Sequence, residues 1–177
     1  FMPDGQILAF KKFTLESGSI QSFFQEIQSL GQIRHRNLIK VLGYWSNHVD
    51  TNILILEYMV NGNLDDLLHP KTDYKNMIIP WEKRWKVAME VARGLYYLHH
   101  ECHSPIVHCD IKPSNILFNL DMEARISDFG LAKIVLDTVS STQNLKGTLG
   151  YIAPGKLSLM FLIAFSSLTC GYMHYRF

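Results

Sequence analysis

Apolar and polar residues change rhythm several times along this chain, and each change predicts an element. Residues 6–13, QILAFKKF, are an apolar-rich run opened by the turn signal Pro3-Asp4-Gly5, which predicts a strand arriving from a hairpin whose partner lies before residue 1. From Ser19 to about Gly31 the residues Phe23, Ile27 and Leu30 recur at helical spacing, with Ser19 as N-cap and Glu26 on the flank of that face. Two short apolar runs follow, LIKVLGYW over 38–45 and NILILEYM over 52–59, with a polar stretch between them; they read as an antiparallel pair. Asn61-Gly62-Asn63 breaks the pattern. A short helix, LDDLLH, then a polar loop lead to a long helix opened by Pro80. It is predicted from Trp81 to His100, with a stripe of Ala88, Val91, Ala92, Leu95 and Leu98. Strands come first and helices second, which predicts a small β-rich lobe followed by a helical one.

Composition narrows this only slightly. The chain has 177 residues, 47% apolar and 19% charged, with a net charge of +1, the balance of a globular protein with no nucleic-acid-coating character. Its three cysteines, Cys102, Cys109 and Cys170, form neither a disulfide framework nor a CxxC zinc site, which points to a reducing compartment. The start FMPDGQILAF lacks the basic and apolar regions of a signal peptide and opens without Met, so the chain is expected to begin mid-domain. The last residues, KLSLMFLIAFSSLTCGYMHYRF, carry no charge between Lys156 and Arg176 apart from His174. That run is near the length of a bilayer span, but its Ser, Thr and Gly content favours a buried or divergent segment.

The chemistry is concentrated in HCDIKPSNIL, residues 108–117. A His beside a Cys is compatible with a metal pair or a thiol nucleophile, and the flanking residues decide between them. Asp110 is followed five positions later by Asn115, and ISDFGLAK at 126–133 comes after a hairpin-sized gap. This arrangement resembles the catalytic loop and the Asp-Phe-Gly metal-binding motif of protein kinases. LAFK at 8–11 resembles the family's strand lysine, Glu26 falls where its ion-pair partner belongs, and GTLGYIAP at 147–154 resembles the end of an activation segment. Taken singly, Lys11 reads as a strand-edge lysine, Glu26 as a solvated helix face and Asp-Phe-Gly as an ordinary turn; the ordered set is what carries the resemblance.

The resemblance implies ATP and Mg²⁺ as cofactors. Lys11 would hold the α- and β-phosphates and Glu26 would hold Lys11. Asp128 and Asn115 would supply oxygen ligands to Mg²⁺, and Asp110 would take or orient the substrate hydroxyl proton. Lys112 matches the serine/threonine pattern, and Ala9, Glu57, Met59 and Leu117 would complete the nucleotide bed. Leu56 falls where the family's gatekeeper sits and is equally well explained as core. His108 is implied to pack beneath Phe129, and Cys109 stands where most kinases carry an Arg that pairs with an activation-loop phosphate, so phosphorylation there should matter less. With HRNLIKVLGYW and EYMVNGNLDDLLH, the pattern is most similar to plant leucine-rich-repeat receptor-like kinases of the non-RD type.

The expected fold is α+β, a partial two-lobed protein-kinase-like fold. Residues 1–59 would form a small lobe without the Gly-rich loop, 60–155 a partial large lobe, and 156–177 a divergent apolar tail. The family's Ala-Pro-Glu reads Ala153-Pro154-Gly155 here, and the 81–100 helix is expected to lack partners for its stripe. Expected partners are a protein substrate, ATP and a receptor or co-receptor kinase, with no nucleic acid; membrane contact would come only through other segments or the tail. The family places such a domain on the cytoplasmic side of the plasma membrane. Two functions fit: phosphoryl transfer from ATP to protein Ser/Thr, or a non-catalytic kinase-like fragment that binds protein partners.

Overall fold

The computed structural model describes residues 7–14, 19–31, 33–47, 50–70, 79–135, 147–148 and 151. The apolar runs become three antiparallel strands, β1 (Leu8–Phe13), β2 (Val41–Ser46) and β3 (Asn52–Glu57), in the order β1-β3-β2. Lys11 faces Leu54 in the β1–β3 register, and a bulge between Val41 and Gly43 interrupts the β2–β3 ladder. The predicted hairpin at residues 3–5 lies outside the described residues.

Helix α1 (Ser19–Leu30) packs behind this sheet. Phe23 is buried edge-on against Phe13, with ring centroids 5.4 Å apart. Two local expectations change here. Ser19 is the first helical residue, and Glu26 is fully buried with 0% exposure, because the side of the helix that carries it also faces the sheet.

The second half holds α2 (Leu64–Leu68), capped by the Asn63 side chain accepting from the Asp66 amide, and α3 (Trp81–Tyr96). A π-helical turn, Tyr97–Glu101, extends α3 and ends the long helix close to its expected limit. Four short strands follow in two ribbons: β4 (Ile106–Val107) with β7 (Lys133–Ile134), and β5 (Ile116–Phe118) with β6 (Ala124–Ile126). The expectation that the α3 stripe lacks partners is corrected. Val91, Leu95 and Leu98 are buried, and Gly94 lets the helix approach β6 so closely that a Cβ there would lie 2.9 Å from Ile126 Cδ1. The face left in water is a different one, carrying Trp81, Trp85, Met89 and Tyr96.

A single apolar cluster runs from Phe13 and Phe23 through Leu38 and Leu54 to Leu95, Phe118, Ile126 and Phe129, so one core joins the sheet to the helical part. This is the α+β, partial two-lobed arrangement the resemblance implies. Among the described residues no helix is long and apolar enough to cross a membrane; the 156–177 tail lies outside them.

Candidate active site

Lys11 projects from the body of β1 and Glu26 from the body of α1, whereas Asp110, Lys112, Asn115 and Asp128 lie on short loops and turns between ordered elements. The loop of residues 108–115 runs from β4 into a 3₁₀ turn, Pro113–Asn115, and then β5. Pro113 opens that turn, where a missing amide hydrogen costs nothing. Cys109 (φ 66°) and Asp128 (φ 63°) both adopt the left-handed backbone region, which costs a non-glycine residue about 1–2 kcal/mol. Strain of this kind persists where the surroundings over-determine it and clusters at functional sites.

The His and Cys of the opening motif separate into two structural roles. The His108 ring is buried edge-on to Phe129 at 4.5 Å. Its Nε2 bonds the Ser127 carbonyl (3.0 Å) and its Nδ1 accepts from the Asp110 amide (3.2 Å), which fixes the neutral tautomer. Burial pushes its pKa down to about 4. Cys109 is half-buried, and its Sγ lies 3.5 Å from the Val107 carbonyl. Among the described residues no cluster of His, Cys, Asp and Glu could hold a metal by itself.

Lys11 Nζ donates to Glu26 Oε2 at 2.7 Å and to Asp128 Oδ1 at 2.6 Å, so one ammonium ties strand, helix and Asp-Phe-Gly turn together. Burial works against the Lys11 charge, but the carboxylates of Glu26 and Asp128 outweigh it and hold the pKa above the usual lysine value. Burial also pushes Glu26 above the usual carboxylate value, against the pull of Lys11.

A second knot surrounds Asp110. Thr148 donates to Asp110 Oδ1 through its hydroxyl (2.5 Å) and its amide (3.0 Å), while Lys112 Nζ lies 3.0 Å from Oδ2 and also donates to the Thr148 hydroxyl at 2.8 Å. Asn115 Nδ2 donates to the Asp110 carbonyl (2.8 Å) and to Oδ2 (3.1 Å). Burial raises the Asp110 carboxyl, but the Thr148 and Lys112 hydrogen bonds prevail and hold it below the ordinary value, so it is anionic near neutrality. Sequence reasoning placed Thr148 only within the activation-segment motif at 147–154. Its place on Asp110 is set by a contact 38 residues away, for which local pattern carries no signal.

Asn115 and Asp128 meet through Ser127, whose amide (2.8 Å) and hydroxyl (2.9 Å) both donate to the Asn115 carbonyl. A carboxylate and an amide oxygen are the kinds of ligand that suit a hard divalent cation. Of the remaining predicted residues, Ala9 is half-buried on β1 opposite Leu56, Met59 is buried just beyond β3, and Leu117 is half-buried on β5 opposite Arg125. Glu57 commits its carboxylate to Arg125. Leu56 packs against the core. The hydroxyl residues Thr138, Ser140, Ser141 and Thr142 before the activation-segment motif lie outside the described residues, as do residues 152–155.

An ammonium–carboxylate pair joined to a second carboxylate, next to an Asp–Lys–Asn loop, is the arrangement that the resemblance to protein kinases implies, and the comparisons with known proteins point to the same family. The protein kinase domain family matches residues 2–161. The leucine-rich repeat receptor-like protein kinase PEPR1 of Arabidopsis thaliana is 45% identical over 152 residues, covering 85% of this chain and 13% of that protein. The MDIS1-interacting receptor like kinase 1 of the same plant is 42% identical over 154 residues, covering 84% and 15%. The serine/threonine-protein kinase BRI1-like 2, also from Arabidopsis thaliana, is 43% identical over 157 residues, covering 86% and 14%. The chain belongs to the protein kinase family, among the leucine-rich-repeat receptor-like kinases of plants. It spans about one-seventh of the length of those relatives.

Proposed function

We propose that this chain carries the phosphotransfer machinery of a serine/threonine receptor-like kinase, moving the γ-phosphoryl of ATP to a protein hydroxyl with Mg²⁺ as the metal. The single observation that carries the reading is the junction at Lys11, where Glu26 from α1 and Asp128 from the Asp-Phe-Gly turn converge on one ammonium. On this reading residues 1–59 form the nucleotide side, 60–155 the substrate side, and no role is assigned to 156–177.

Phosphoryl transfer needs positioning and charge neutralisation more than covalent help. Lys11, held by Glu26, would steer the α- and β-phosphates, and Ala9, Met59, Leu117 and the Glu57 backbone would flank the base. Asp128 and Asn115 would hold the cation, which when bound neutralises charge on the phosphate oxygens. Asp110, kept anionic by its neighbours, would accept the hydroxyl proton, with the Lys112 ammonium beside it to steady the transferred group. Cys109 brings no guanidinium to a phosphate on the activation segment, so activity on this reading does not wait for such a phosphate. The named relatives are receptor kinases, which supports a cytoplasmic setting at the plasma membrane and a receptor or co-receptor kinase as partner.

The test is phosphate incorporation into a generic protein substrate by the purified chain and by Asp110→Asn. Loss of the proton acceptor is expected to lower the rate about 10²- to 10⁴-fold with an unchanged melting profile. Incorporation that is equal in the two proteins would overturn the assignment.

A further inference from the structure

We infer that the Glu57–Arg125 ion pair is a latch at the end of β3 that fixes how the three-stranded sheet sits on the β5–β6 ribbon, and thereby sets the spacing of Lys11 and Asp128. Glu57 is the last residue of β3, and Arg125 lies on β6 three positions before Asp128. Arg125 Nη1 contacts both Glu57 carboxylate oxygens across 68 residues of sequence. The same carboxylate accepts from the Lys40 amide at 2.7 Å, while the Glu57 amide donates to the Lys40 carbonyl at 3.1 Å. One side chain therefore knits the end of β3, the segment before β2 and the strand that leads to Asp128.

Two features make position, rather than stability, the product of this pair. The side chains are about four-fifths buried, 19% and 20% exposed, so their attraction is far less screened than that of a surface pair. Yet Arg125 Nε is buried without an acceptor, an arrangement that gives up part of what the pair gains. An open cavity of about 270 Å³, with Leu38, Ile39, Lys40 and Arg125 in its lining, adjoins the pair. Close apolar packing therefore does not hold the joint on that side. Backbone bonds cross it nearby, from the Ile39 amide to the Ile126 carbonyl and from the Ile126 amide to the Asn37 carbonyl, both 2.9 Å. Their exchange reports whether it opens.

The consequence for catalysis rests on the phosphotransfer reading, but the latch itself is testable without nucleotide or activity. Amide hydrogen exchange would be followed in the full chain for wild type, Arg125→Met, Arg125→Lys, Glu57→Gln and the double Glu57→Gln/Arg125→Met. Arg125→Met is expected to speed exchange at Ile39 and Ile126 about tenfold, leaving the β1–β3 ladder unchanged. Arg125→Lys, which restores the charge, stays within about threefold of wild type, and the double variant exchanges no faster than Arg125→Met alone. Wild-type exchange at both amides in Arg125→Met overturns the latch. So does equal acceleration of the β1–β3 ladder, failure of Arg125→Lys to rescue, or additive effects in the double variant.

Discussion

At the scale of single residues, His108 is the clearest case of a side chain whose chemistry is set by burial. Its ring is neutral in the folded chain, accepting at Nδ1 and bonded at Nε2, and a second proton would abolish the Asp110 amide contact. The folded pKa is pushed down to about 4 from 6.5. Above pH 6.5 the ring is neutral in folded and unfolded chains alike, and its full contribution is present. As pH falls from 6.5 towards 4, the unfolded chain takes up a proton that the folded chain refuses, so stability declines. Below about 4 both forms carry the proton and the loss levels off, at about 3 kcal/mol. Urea unfolding of wild type and His108→Gln across this range should give a difference curve that changes between pH 6.5 and 4 and is flat outside it; a curve flat throughout would show that His108 titrates normally. The identity of this residue was legible in the sequence, because the resemblance implied its place under Phe129. Its protonation was not, because that depends on the Ser127 carbonyl and on burial by elements far along the chain.

At the scale of elements, periodicity was enough to find β1, α1, β2, β3, α2 and α3 close to their true limits. A period of two or of 3.6 is a local property that tertiary contacts rarely erase. What periodicity could not give was which second face of a helix is also buried. Glu26 alone reads as a solvated helix position but is tied to Lys11, and Glu90, on which the pattern was silent, accepts the Ala124 amide at 2.8 Å, so that it caps the start of β6. Gly94 shows the same limit from the other side. In an isolated helix, replacing it with Ala would gain about 1 kcal/mol. Here the new methyl would meet Ile126 Cδ1 at 2.9 Å, the Asn37 carbonyl oxygen at 3.1 Å and Leu38 Cδ2 at 3.3 Å. The Ile126 side chain can turn, but the Asn37 backbone cannot retreat easily, since its carbonyl accepts from the Ile126 amide and its side chain donates to the Ala124 carbonyl. Overpacking of this kind costs about 1–3 kcal/mol, which outweighs the helix gain. Gly94→Ala is therefore expected to lower the urea midpoint with an unchanged slope; a raised midpoint would mean that α3 can move off β6 freely.

At the scale of the whole molecule, the site exists only because distant parts of the chain converge, and this is where sequence reasoning depended on the ordered motifs rather than on any pattern. Lys11 and Asp128 are separated by 117 residues, yet they are 2.6 Å apart. A ligand that occupies this junction links the sheet to the β5–β6 ribbon and must stabilise the fold by mass action, by about 2.7 kcal/mol at one hundred times its dissociation constant. For a chain of this size that corresponds to a rise of about 5–10 °C in melting temperature. The two proposed halves of the ligand can be separated, because Lys11 addresses the phosphates while Asp128 addresses the metal. Asp128→Asn removes a hard anionic oxygen but leaves Lys11 paired with Glu26, so ATP without metal should still raise the melting temperature. The further rise on adding Mg²⁺ at constant ATP, expected in the wild type, should shrink or vanish in the variant. A magnesium increment of the same size in both proteins would remove Asp128 from the metal site, while a response to ATP in neither would count against the nucleotide site as a whole.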